Sequence, residues 1–314
     1  MARPYRLQGE GLLYHIASRG DDRKKIFISE YDFNKFLEYL NQARDKFKFY
    51  LYAYCLMSNH YHLLLETTQP NLSKIMQYIN TAYTIYYNKK RNKCGHLFQG
   101  RYKSILVQAD IYFKELTRYI HLNPVRAKIV DAPNKYRWSS YNDYIKGKSN
   151  IVNISKLKTL LDMDMHKYSS FVSAAIDKQI DPLKNTYAGF LLGGKNFIKE
   201  QLSELATQSA YKDFAYKRIA CNQTDPNDII NLTAKYFKQD PNDLKSSTKR
   251  PMTGKKAAIY IMRTKTVLTN NQIGELFNMK FSAVSKAAID FKRQIDNDKK
   301  LANVVREITS KVEV

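Results

Sequence analysis

Hydrophobic and polar positions follow two different periods along the first half of the chain. Short apolar runs rich in aromatic residues predict strands, and apolar residues spaced three or four apart predict helices. The helix with Phe33, Phe36 and Leu40 on one face is a clear example. The predicted strands are 12–19, 49–57, 60–66 and 102–109, and the predicted helices are 30–47, 72–90 and 110–127.

The order of these elements is strand, helix, two strands, helix and strand, with one further helix. This is the split β-α-β pattern of ferredoxin-like and RNA-recognition-type folds. The two-residue turn Ser58-Asn59 predicts that the second and third strands form an antiparallel hairpin. We therefore predict an α+β fold, with a four-stranded antiparallel sheet and its helices on one face, followed by an all-α region.

The length of the chain predicts more than one domain. It has 314 residues, and single hydrophobic cores usually stop growing near ~250 to 300 residues. A segment at 138–144 marks the end of the α+β pattern, and polar residues at 146–150 resemble a linker. We predict an α+β domain at 1–145, a helical connector at 146–224 and a second domain at 225–314.

The charge of the chain indicates a polyanionic partner. Lys and Arg number 52 against 29 Asp and Glu, which gives a net charge of +23 and a pI near 9.7. Basic residues exceed acidic ones in both halves, which favours two separate surfaces that contact phosphates. Positive charge that only keeps the protein in solution, or that meets a membrane surface, remains an alternative.

Cysteine usage and hydropathy predict a cytoplasmic protein. Cys55, Cys94 and Cys221 lie far apart, without the spacing of a disulfide framework or a zinc ribbon. No stretch approaches the ~18 apolar residues that a membrane helix needs. We therefore expect no membrane partner.

Two histidines stand two positions apart in the predicted strand 60–66. Side chains alternate along a strand, so His60 and His62 project from one face while Tyr61 projects from the other. Two imidazoles suit a divalent metal but need a third ligand from elsewhere. A His-x-His pair also occurs in ordinary strands and in zinc hydrolases, but the longer histidine motif of metallo-β-lactamase-like enzymes is absent here because leucines follow.

The predicted helix 110–127, for which Asp110 is the expected N-cap, places Tyr119 and Asn123 four residues apart on one face. That face can present a nucleophile beside a metal ligand. A tyrosine hydroxyl has a pKa of about 10, so it needs a nearby metal to polarise the phosphate it attacks. Tyr119 is one of 24 tyrosines, and a packing role remains the alternative.

No acidic residue lies between Glu66 and Asp110, whereas basic residues and aromatic residues are interleaved there. Cations that follow phosphates and rings that stack on unpaired bases are what single-stranded nucleic acid requires. A solvated basic loop with some core tyrosines is the alternative. The basic residues are Lys74, Lys89, Lys90, Arg91, Lys93, Arg101 and Lys103, and the aromatic residues are Tyr83, Tyr86, Tyr87, Phe98 and Tyr102.

The last part of the chain predicts a helix-turn-helix. Thr269 is the expected cap of one helix, residues 278–280 the turn, and Ser282 the cap of the next helix. The outer face of that second helix presents Ser285, Lys286 and Arg293 to a duplex. The candidate DNA contacts in this region are Lys255, Lys256, Lys280, Ser282, Ser285 and Lys286.

Four segments of the first half resemble the REP-associated tyrosine transposases, a branch of the IS200-like, single-tyrosine HUH transposases, in order and in spacing. They are YCLMSNHYHLLLE (54–66), GHLFQGRYKSILVQ (95–108), YFKELTRYIHLNPVRAKIV (112–130) and WSSY (138–141). The resemblance covers residues 1–145.

This resemblance implies a ferredoxin-like nuclease domain in which His60 and His62 bind Mg²⁺ or Mn²⁺. It implies that Tyr119 attacks a DNA phosphate, forms a 5′-phosphotyrosine and frees a 3′-OH. Asn123, one turn after the tyrosine, stands where related enzymes complete the metal site, and His121 is the alternative. Family substrates are single strands that bear palindromic hairpins beside a tetranucleotide. For this chain, a monomer and a homodimer are both left open.

Residues 225–296 resemble the DNA-binding domain of the replication initiator DnaA, mainly through KKAAIYIMRTKTVLTNNQIGELFN (255–278). Duplex binding is therefore expected. The chain departs from the initiator at 280–282, where Lys-Phe-Ser replaces a basic-acidic-histidine run, so the initiator's target sequence does not carry over.

These features favour a metal-dependent strand transferase with a separate duplex-binding module. A non-catalytic DNA-binding regulator derived from a transposase is the second hypothesis. An RNA-binding protein that uses the split β-α-β sheet is a third, although such a sheet has no need of the histidine pair.

Overall fold

The structure of the protein, a computed structural model, describes residues 7–178, 180–208, 225–246, 252–266 and 268–312. The chain divides into two compact units between Ile198 and Lys199. The first contains a β-sheet, and the described residues of the second are helical apart from short connections. The predicted α+β domain with a following all-α region is confirmed. The domain limits at 145 and 224 remain predictions, and Cys221 lies outside the described residues.

Every strand and helix predicted in the first half is present, with ends that differ by at most two residues from the predicted ones. The strands are β1 (Leu13–Arg19), β2 (Tyr50–Met57), β3 (His60–Glu66), β4 (Lys103–Val107) and β5 (Leu191–Leu192). The helices are α1 (Glu30–Phe47), α2 (Leu72–Lys90), α3 (Ala109–Arg126), α4 (Tyr141–Lys146), α5 (Ile154–Leu161), α6 (Met165–Ser173) and α7 (Lys195–Gln208), which contains the division between the units.

The sheet has the order β2-β3-β1-β4-β5. The first four strands are antiparallel, as predicted, and their order is that of a ferredoxin-like fold. The prediction of only four strands is wrong, because β5 pairs parallel to β4. Main-chain bonds extend this edge, from the Leu106 N–H to the Phe190 carbonyl and from the Gln108 N–H to the Leu192 carbonyl, both at 2.8 Å.

Helices cover both faces of the sheet, so the prediction of helices on one face is wrong. Tyr61 packs on Phe36 of α1 with ring centroids 4.7 Å apart, and its hydroxyl donates to Asn80 of α2. The next residue, His62, faces the opposite way and meets Tyr119 of α3. Residues 61–65 are all buried. A strand that is apolar on both sides needs cover on both sides.

The β2–β3 turn holds His60 at the start of its strand. The Ser58 carbonyl accepts from the N–H groups of Ile26 and Phe27 at 2.8 and 2.9 Å, and the Asn59 carbonyl accepts from the Gly20 N–H at 2.8 Å. A Cβ on Gly20 would lie 2.2 Å from a backbone oxygen, so only glycine fits there. The turn is thus fixed by backbone contacts from another part of the chain.

Helix α3 begins one residue earlier than predicted. Gln108 is its N-cap, and Asp110 lies in the first turn, so the prediction of Asp110 as the cap is wrong. Gln108 is held at the sheet edge because its N–H donates to β5 and its Oε1 accepts from the Gly194 N–H at 2.8 Å. The end of β4 therefore sets the start of the helix that carries Tyr119.

The second unit buries a core of its own, to which Ala257, Ile261, Ile273, Phe291 and Ile308 belong. Its described helices are α8 (Pro226–Tyr236), α9 (Pro241–Ser246), α10 (Thr253–Lys265), α11 (Asn270–Leu276), α12 (Phe281–Asn297) and α13 (Lys299–Val312).

Of the two helix caps predicted in the second unit, one is confirmed and one is wrong. Thr269 caps α11 and forms a capping box with Gln272, as predicted. Ser282 does not cap α12, because Lys280 is the N-cap and Ser282 already lies in the first turn. The intervening turn packs closely on α11, since a Cβ on Gly274 would lie 2.3 Å from the Met279 carbonyl.

None of the helices in the described residues is long and apolar enough to cross a membrane.

Candidate active site

His60 and His62 project from one face of β3, as the alternation of the strand predicts. Their ring centroids are 5.1 Å apart. His62 pairs with Ala17 of β1 on one side and with Cys55 of β2 on the other, so it sits in the middle of the sheet and is 8% exposed. His60 lies at the end of the strand and is partly exposed. The two histidines therefore lie where the buried part of the sheet meets the protein surface.

Both histidines have one ring nitrogen occupied. His60 Nδ1 lies 2.6 Å from Asn59 Oδ1, which is an acceptor, so His60 donates through this nitrogen. His62 Nδ1 lies 3.0 Å from His15 Nε2. The Nδ1 atoms are thus engaged by the protein, and the Nε2 atoms are the ones that remain for a ligand.

Burial keeps these imidazoles neutral. It lowers the pKa of His62 well below its usual value, with smaller contributions from His15 and His60. Burial also lowers the pKa of His60, and the nearby Arg19 guanidinium lowers it further. A neutral imidazole is the form that binds a metal.

Tyr119 lies beside the pair, as the shared face of α3 predicts. Its ring stands edge-on to that of His62, with centroids 5.9 Å apart. The Arg126 guanidinium lies 4.8 Å from the Tyr119 ring centroid and donates to the Tyr119 carbonyl. Burial raises the pKa of the Tyr119 phenol, the Asp181 carboxylate raises it further, and Arg126 opposes both. The phenol is therefore not activated by its protein surroundings alone.

Asn123 and His121 differ as candidates for a third ligand. Asn123 Nδ2 donates to the Tyr119 carbonyl at 2.9 Å, and its Oδ1 is the atom suited to a metal. His121 is fully buried, with Nδ1 2.7 Å from the Tyr168 hydroxyl and Nε2 2.8 Å from Ser140 Oγ. Both nitrogens of His121 are thus used in packing, which leaves Asn123 as the better candidate.

A third histidine, which no sequence motif marks, lies in the site. His15 of β1 is 2% exposed, stacks on His62 with centroids 5.1 Å apart, and stands edge-on to Tyr119 at 6.3 Å. Burial lowers its pKa to about 4. The sequence predicts that residue 15 lies in the strand 12–19, but it does not predict the strand pairing that brings His15 to His62.

Within the described residues, no three or more His, Cys, Asp or Glu side chains form a group arranged to hold a metal.

A basic pocket of about 410 Å³ adjoins His60. Arg19, Arg23, Arg101 and Lys103 contribute to its lining, and none of its lining residues, all in the described part of the chain, is acidic. The Arg19 guanidinium is held by Gln99 Oε1 at 2.6 Å. Arg101 and Lys103 were predicted as DNA contacts, whereas Arg19 and Arg23 were not, because they precede the acid-free stretch.

The other cations of that stretch have different positions. Lys89 and Lys93 are exposed. Lys90 and Arg91 form ion pairs with the buried Asp32, with N–O distances of 3.0 and 2.5 Å. Both side chains are held by the one carboxylate of Asp32, which balances one of their two charges, so they are less free to reach a phosphate than Lys89 and Lys93.

The aromatic residues of the stretch are mainly core residues. Tyr83, Tyr87, Phe98 and Tyr102 are each at most 8% exposed. The Tyr83 and Tyr87 hydroxyls donate to the carbonyls of Ile26 and Lys25. Burial therefore argues against stacking of DNA bases on these four rings and favours a core role for them.

The residues of the second unit that were predicted to contact DNA also differ in their exposure to solvent. Lys280, Ser282 and Lys286 are exposed, and Ser285 and Lys256 are partly exposed. Lys255, in contrast, is 7% exposed, and its ammonium donates to the Lys245 carbonyl at 2.9 Å. Because of this burial, Lys255 is poorly placed to reach a phosphate.

Comparison with known proteins confirms the first resemblance. Residues 9–123 match the family described as "Transposase IS200 like". A protein of Haemophilus influenzae named as a REP-associated tyrosine transposase is 25% identical over 150 residues, a match that covers 44% of this chain and 85% of the relative. These likenesses support a DNA-cleaving role of the transposase type.

Two further likenesses concern the structure and the second unit. A solved structure of a REP-associated tyrosine transposase bound to a REP hairpin has a TM-score of 0.40 and 16% identity, and the match covers 48% of this chain and 88% of that one. The initiator DnaA of Campylobacter jejuni subsp. doylei is 34% identical over 88 residues, which are 27% of this chain and only 20% of the initiator. The second resemblance is thus also confirmed, for a small part of the relative.

Proposed function

We propose that the protein is a metal-dependent single-stranded DNA endonuclease and strand transferase, with Tyr119 as the nucleophile. The observation that carries this proposal is the edge-on contact of Tyr119 with His62, whose Nε2 is left for a metal. A strand, a helix and a hydrogen-bonded turn hold these groups together. The arrangement suits attack on a phosphate bound between them.

The residues present fit Mg²⁺ or Mn²⁺. Asn123 offers Oδ1, an oxygen ligand of the kind that suits both ions, and His60 and His62 add their Nε2 atoms. The set contains no thiolate, the ligand that favours softer metals. Such an ion, when bound, polarises the scissile phosphate and offsets the charge that develops on it. The protein contributes the fixed direction of the imidazoles.

Tyr119 supplies the attacking oxygen in the reaction that we propose. The bond between its phenolic oxygen and phosphorus forms as the bond from phosphorus to the 3′-oxygen breaks. The phenolic proton leaves to solvent and the departing 3′-oxygen takes one up, which gives a 5′-phosphotyrosine and a 3′-OH. A 3′-OH from another strand reverses the step and joins the strands. Arg126, beside the ring, offsets negative charge on the phenolic oxygen during attack.

The basic pocket beside His60 supports a single strand as the substrate. Arg19, Arg23, Arg101 and Lys103 there offer charge to phosphates, and Gln99 offers a polar group. We propose that the substrate carries a palindromic hairpin, since the similar protein from H. influenzae is named for REP repeats. The pocket then holds the unpaired DNA next to the hairpin.

Formation of a covalent adduct tests the nucleophile. We expect the full chain to cut a hairpin-bearing oligonucleotide in Mg²⁺ or Mn²⁺ and to remain attached to the 5′ end, as a shifted band on a denaturing gel. Tyr119→Phe should abolish the adduct, whereas Tyr112→Phe, on the same helix, should retain it. An adduct formed by Tyr119→Phe would show that the nucleophile is another residue.

Binding of Mn²⁺ tests the metal site separately. Calorimetry should detect binding to the wild-type chain and a loss of at least tenfold in affinity for the double variant His60→Ala, His62→Ala. Equal affinity in the double variant would contradict the assignment of the two histidines as ligands.

We further propose that the second unit binds duplex DNA through a helix-turn-helix formed by α11 and α12. The exposed Lys280, Ser282 and Lys286, with Ser285 and Lys256 beside them, supply the polar and basic groups that such binding needs. The similarity to the initiator covers this region. A chain that bound duplex but formed no adduct would instead be the non-catalytic regulator.

A further inference from the structure

His15 is a buried histidine for which the proposed reaction has no role so far. It lies on β1, which pairs with β3 so that Ala17 stands opposite His62 and His15 opposite Leu64. Residues 15 and 17 share a face of β1, so His15 lies on the side of the sheet that carries His62. The two rings are stacked, with an interplanar angle of 20°, and His15 Nε2 lies 3.0 Å from His62 Nδ1.

One proton is shared in this contact, and its position decides whether His62 is able to bind a metal. A neutral imidazole has one N–H and one free lone pair. If His62 carries its proton on Nδ1, it donates to His15 and its Nε2 lone pair is free. If His15 is the donor instead, the proton of His62 sits on Nε2 and blocks that atom.

We propose that His15 is a positioning residue that accepts a hydrogen bond from His62 and thereby keeps His62 Nε2 free for the metal. The inference rests on the proposed function, because it gives His62 a ligand's role. His60 provides an internal parallel: its Nδ1 donates to Asn59 Oδ1, which leaves the same atom, Nε2, for a ligand. Metal-bound histidines are commonly held by an acceptor on their other nitrogen in this way.

Packing alone does not account for an imidazole at this position. A leucine would fill much of the same space without bringing a polar group into a site that is 2% exposed. A buried polar group is costly unless it has a partner. Here the partner is His62 and the neighbouring ring is that of Tyr119, 6.3 Å away, so His15 touches both the proposed ligand and the proposed nucleophile.

The tautomer of His62 in the metal-free protein tests the inference directly. Long-range ¹H–¹⁵N spectra of the full chain, labelled on histidine, distinguish a protonated Nδ1 from a protonated Nε2, and the spectrum of a His62→Gln variant assigns the signals. We expect His62 to carry its proton on Nδ1. A proton on Nε2 in the wild-type chain would overturn the proposal.

Variants at position 15 give a second test, which reads out Mn²⁺ affinity by calorimetry. His15→Leu keeps the bulk but removes the acceptor, and we expect its affinity to fall about 10- to 100-fold. His15→Gln keeps an acceptor oxygen at similar reach and should stay within about threefold of wild type. Equal affinity for the leucine variant, with thermal unfolding near that of wild type, would overturn the role of His15.

The two tests also distinguish this inference from the proposed function. If the wild-type chain binds no Mn²⁺, the metal assignment fails, and the tautomer of His62 in the leucine variant still decides whether His15 sets it. If Mn²⁺ binds and depends on His60 and His62 but not on residue 15, the proposed function stands and the role of His15 falls.

Discussion

The groups around Tyr119 shift the pKa of its phenol in opposite directions. Burial and the Asp181 carboxylate raise the pKa of the phenol, while the Arg126 guanidinium lowers it. Arg126 also donates to the carbonyls of Tyr119 and of Ile180, so it links the proposed nucleophile to the segment that follows α6. Of the two charged groups that shift this pKa, the guanidinium is therefore the one that favours negative charge on the phenolic oxygen.

Replacement of Arg126 should impair chemistry but not metal binding. We expect Arg126→Ala to slow adduct formation about tenfold, which corresponds to about 1.4 kcal/mol of activation free energy, and to leave Mn²⁺ affinity unchanged. Lys128→Ala removes an exposed neighbouring cation and serves as the control. A rate equal to wild type would mean that Arg126 has only a structural role.

Residues that act along one element were predictable, and residues that meet across elements were not. His60 and His62 follow from the alternation of a strand, and Tyr119 and Asn123 from the period of a helix. His15 reaches His62 only through the pairing of β1 with β3. In the same way, the buried Asp32 engages Lys90 and Arg91, which lie far along the chain and were predicted as DNA contacts.

At the scale of elements, Asp32 joins α1 to the end of α2. Its carboxylate accepts from the N–H groups of Ile28 and Ser29, which precede α1, and pairs with both cations. Burial by itself would raise the pKa of this carboxyl, but the hydrogen bonds and ion pairs outweigh burial and hold the pKa below its usual range. Asp32 is thus ionised in the folded protein even at pH values where it is protonated in the unfolded chain.

Asp32→Asn should lower the free energy of unfolding at neutral pH by about 3 to 5 kcal/mol, because two cations lose a buried partner. The lowered pKa means that Asp32 stabilises the fold fully above about pH 4, its unfolded value, and loses this effect as the pH falls further. The variant should therefore lose less stability than wild type between pH 4 and pH 2. Urea unfolding across this range measures both effects, and parallel curves would contradict the assignment.

The missed strand shows why short elements escape prediction. β5 has two residues, Leu191 and Leu192, and pairs with a strand more than eighty positions earlier. Two residues carry no detectable period, and the main-chain bonds that define β5 do not depend on side-chain type. The longer elements, with several apolar positions each, were predicted with nearly correct ends.

At the scale of the whole molecule, the segment after residue 145 completes the first unit. Its buried residues include Leu161, Tyr168 and Val172, and Leu191 and Leu192 of β5. Tyr168 also meets His121 of α3, the helix that carries Tyr119. A connector that merely linked two domains would not supply core residues to one of them.

A chain that ends at residue 145 should therefore fold poorly, while one that ends at 198 should fold by itself. Each fully buried large apolar side chain contributes about 1.5 to 3 kcal/mol, and domains are stable by only about 5 to 15 kcal/mol. Thermal unfolding followed by circular dichroism should be cooperative for residues 1–198 only. Equal, cooperative unfolding of both fragments would support the shorter predicted domain at 1–145.

The net charge of +23 indicates a polyanionic partner, and the contribution of the second unit to DNA binding can be tested separately. Lys286 is exposed on α12, one turn after Ser282, where a helix in the major groove would bring it to the duplex. If Lys286 neutralises one phosphate, the Lys286→Ala variant should bind duplexes of all sequences more weakly by the same factor. The slope of log affinity against log salt should fall in magnitude by about 1, because binding releases one condensed counterion fewer. Lys300→Ala, exposed on α13, should change neither. Fluorescence anisotropy at several salt concentrations measures both quantities.

Cleavage of a single-stranded hairpin by the Lys286→Ala variant should proceed at the wild-type rate, because Lys286 lies far from Tyr119 in sequence and in a separate unit. A loss of cleavage that parallels the loss of duplex binding would mean that duplex binding and strand transfer are not separate functions.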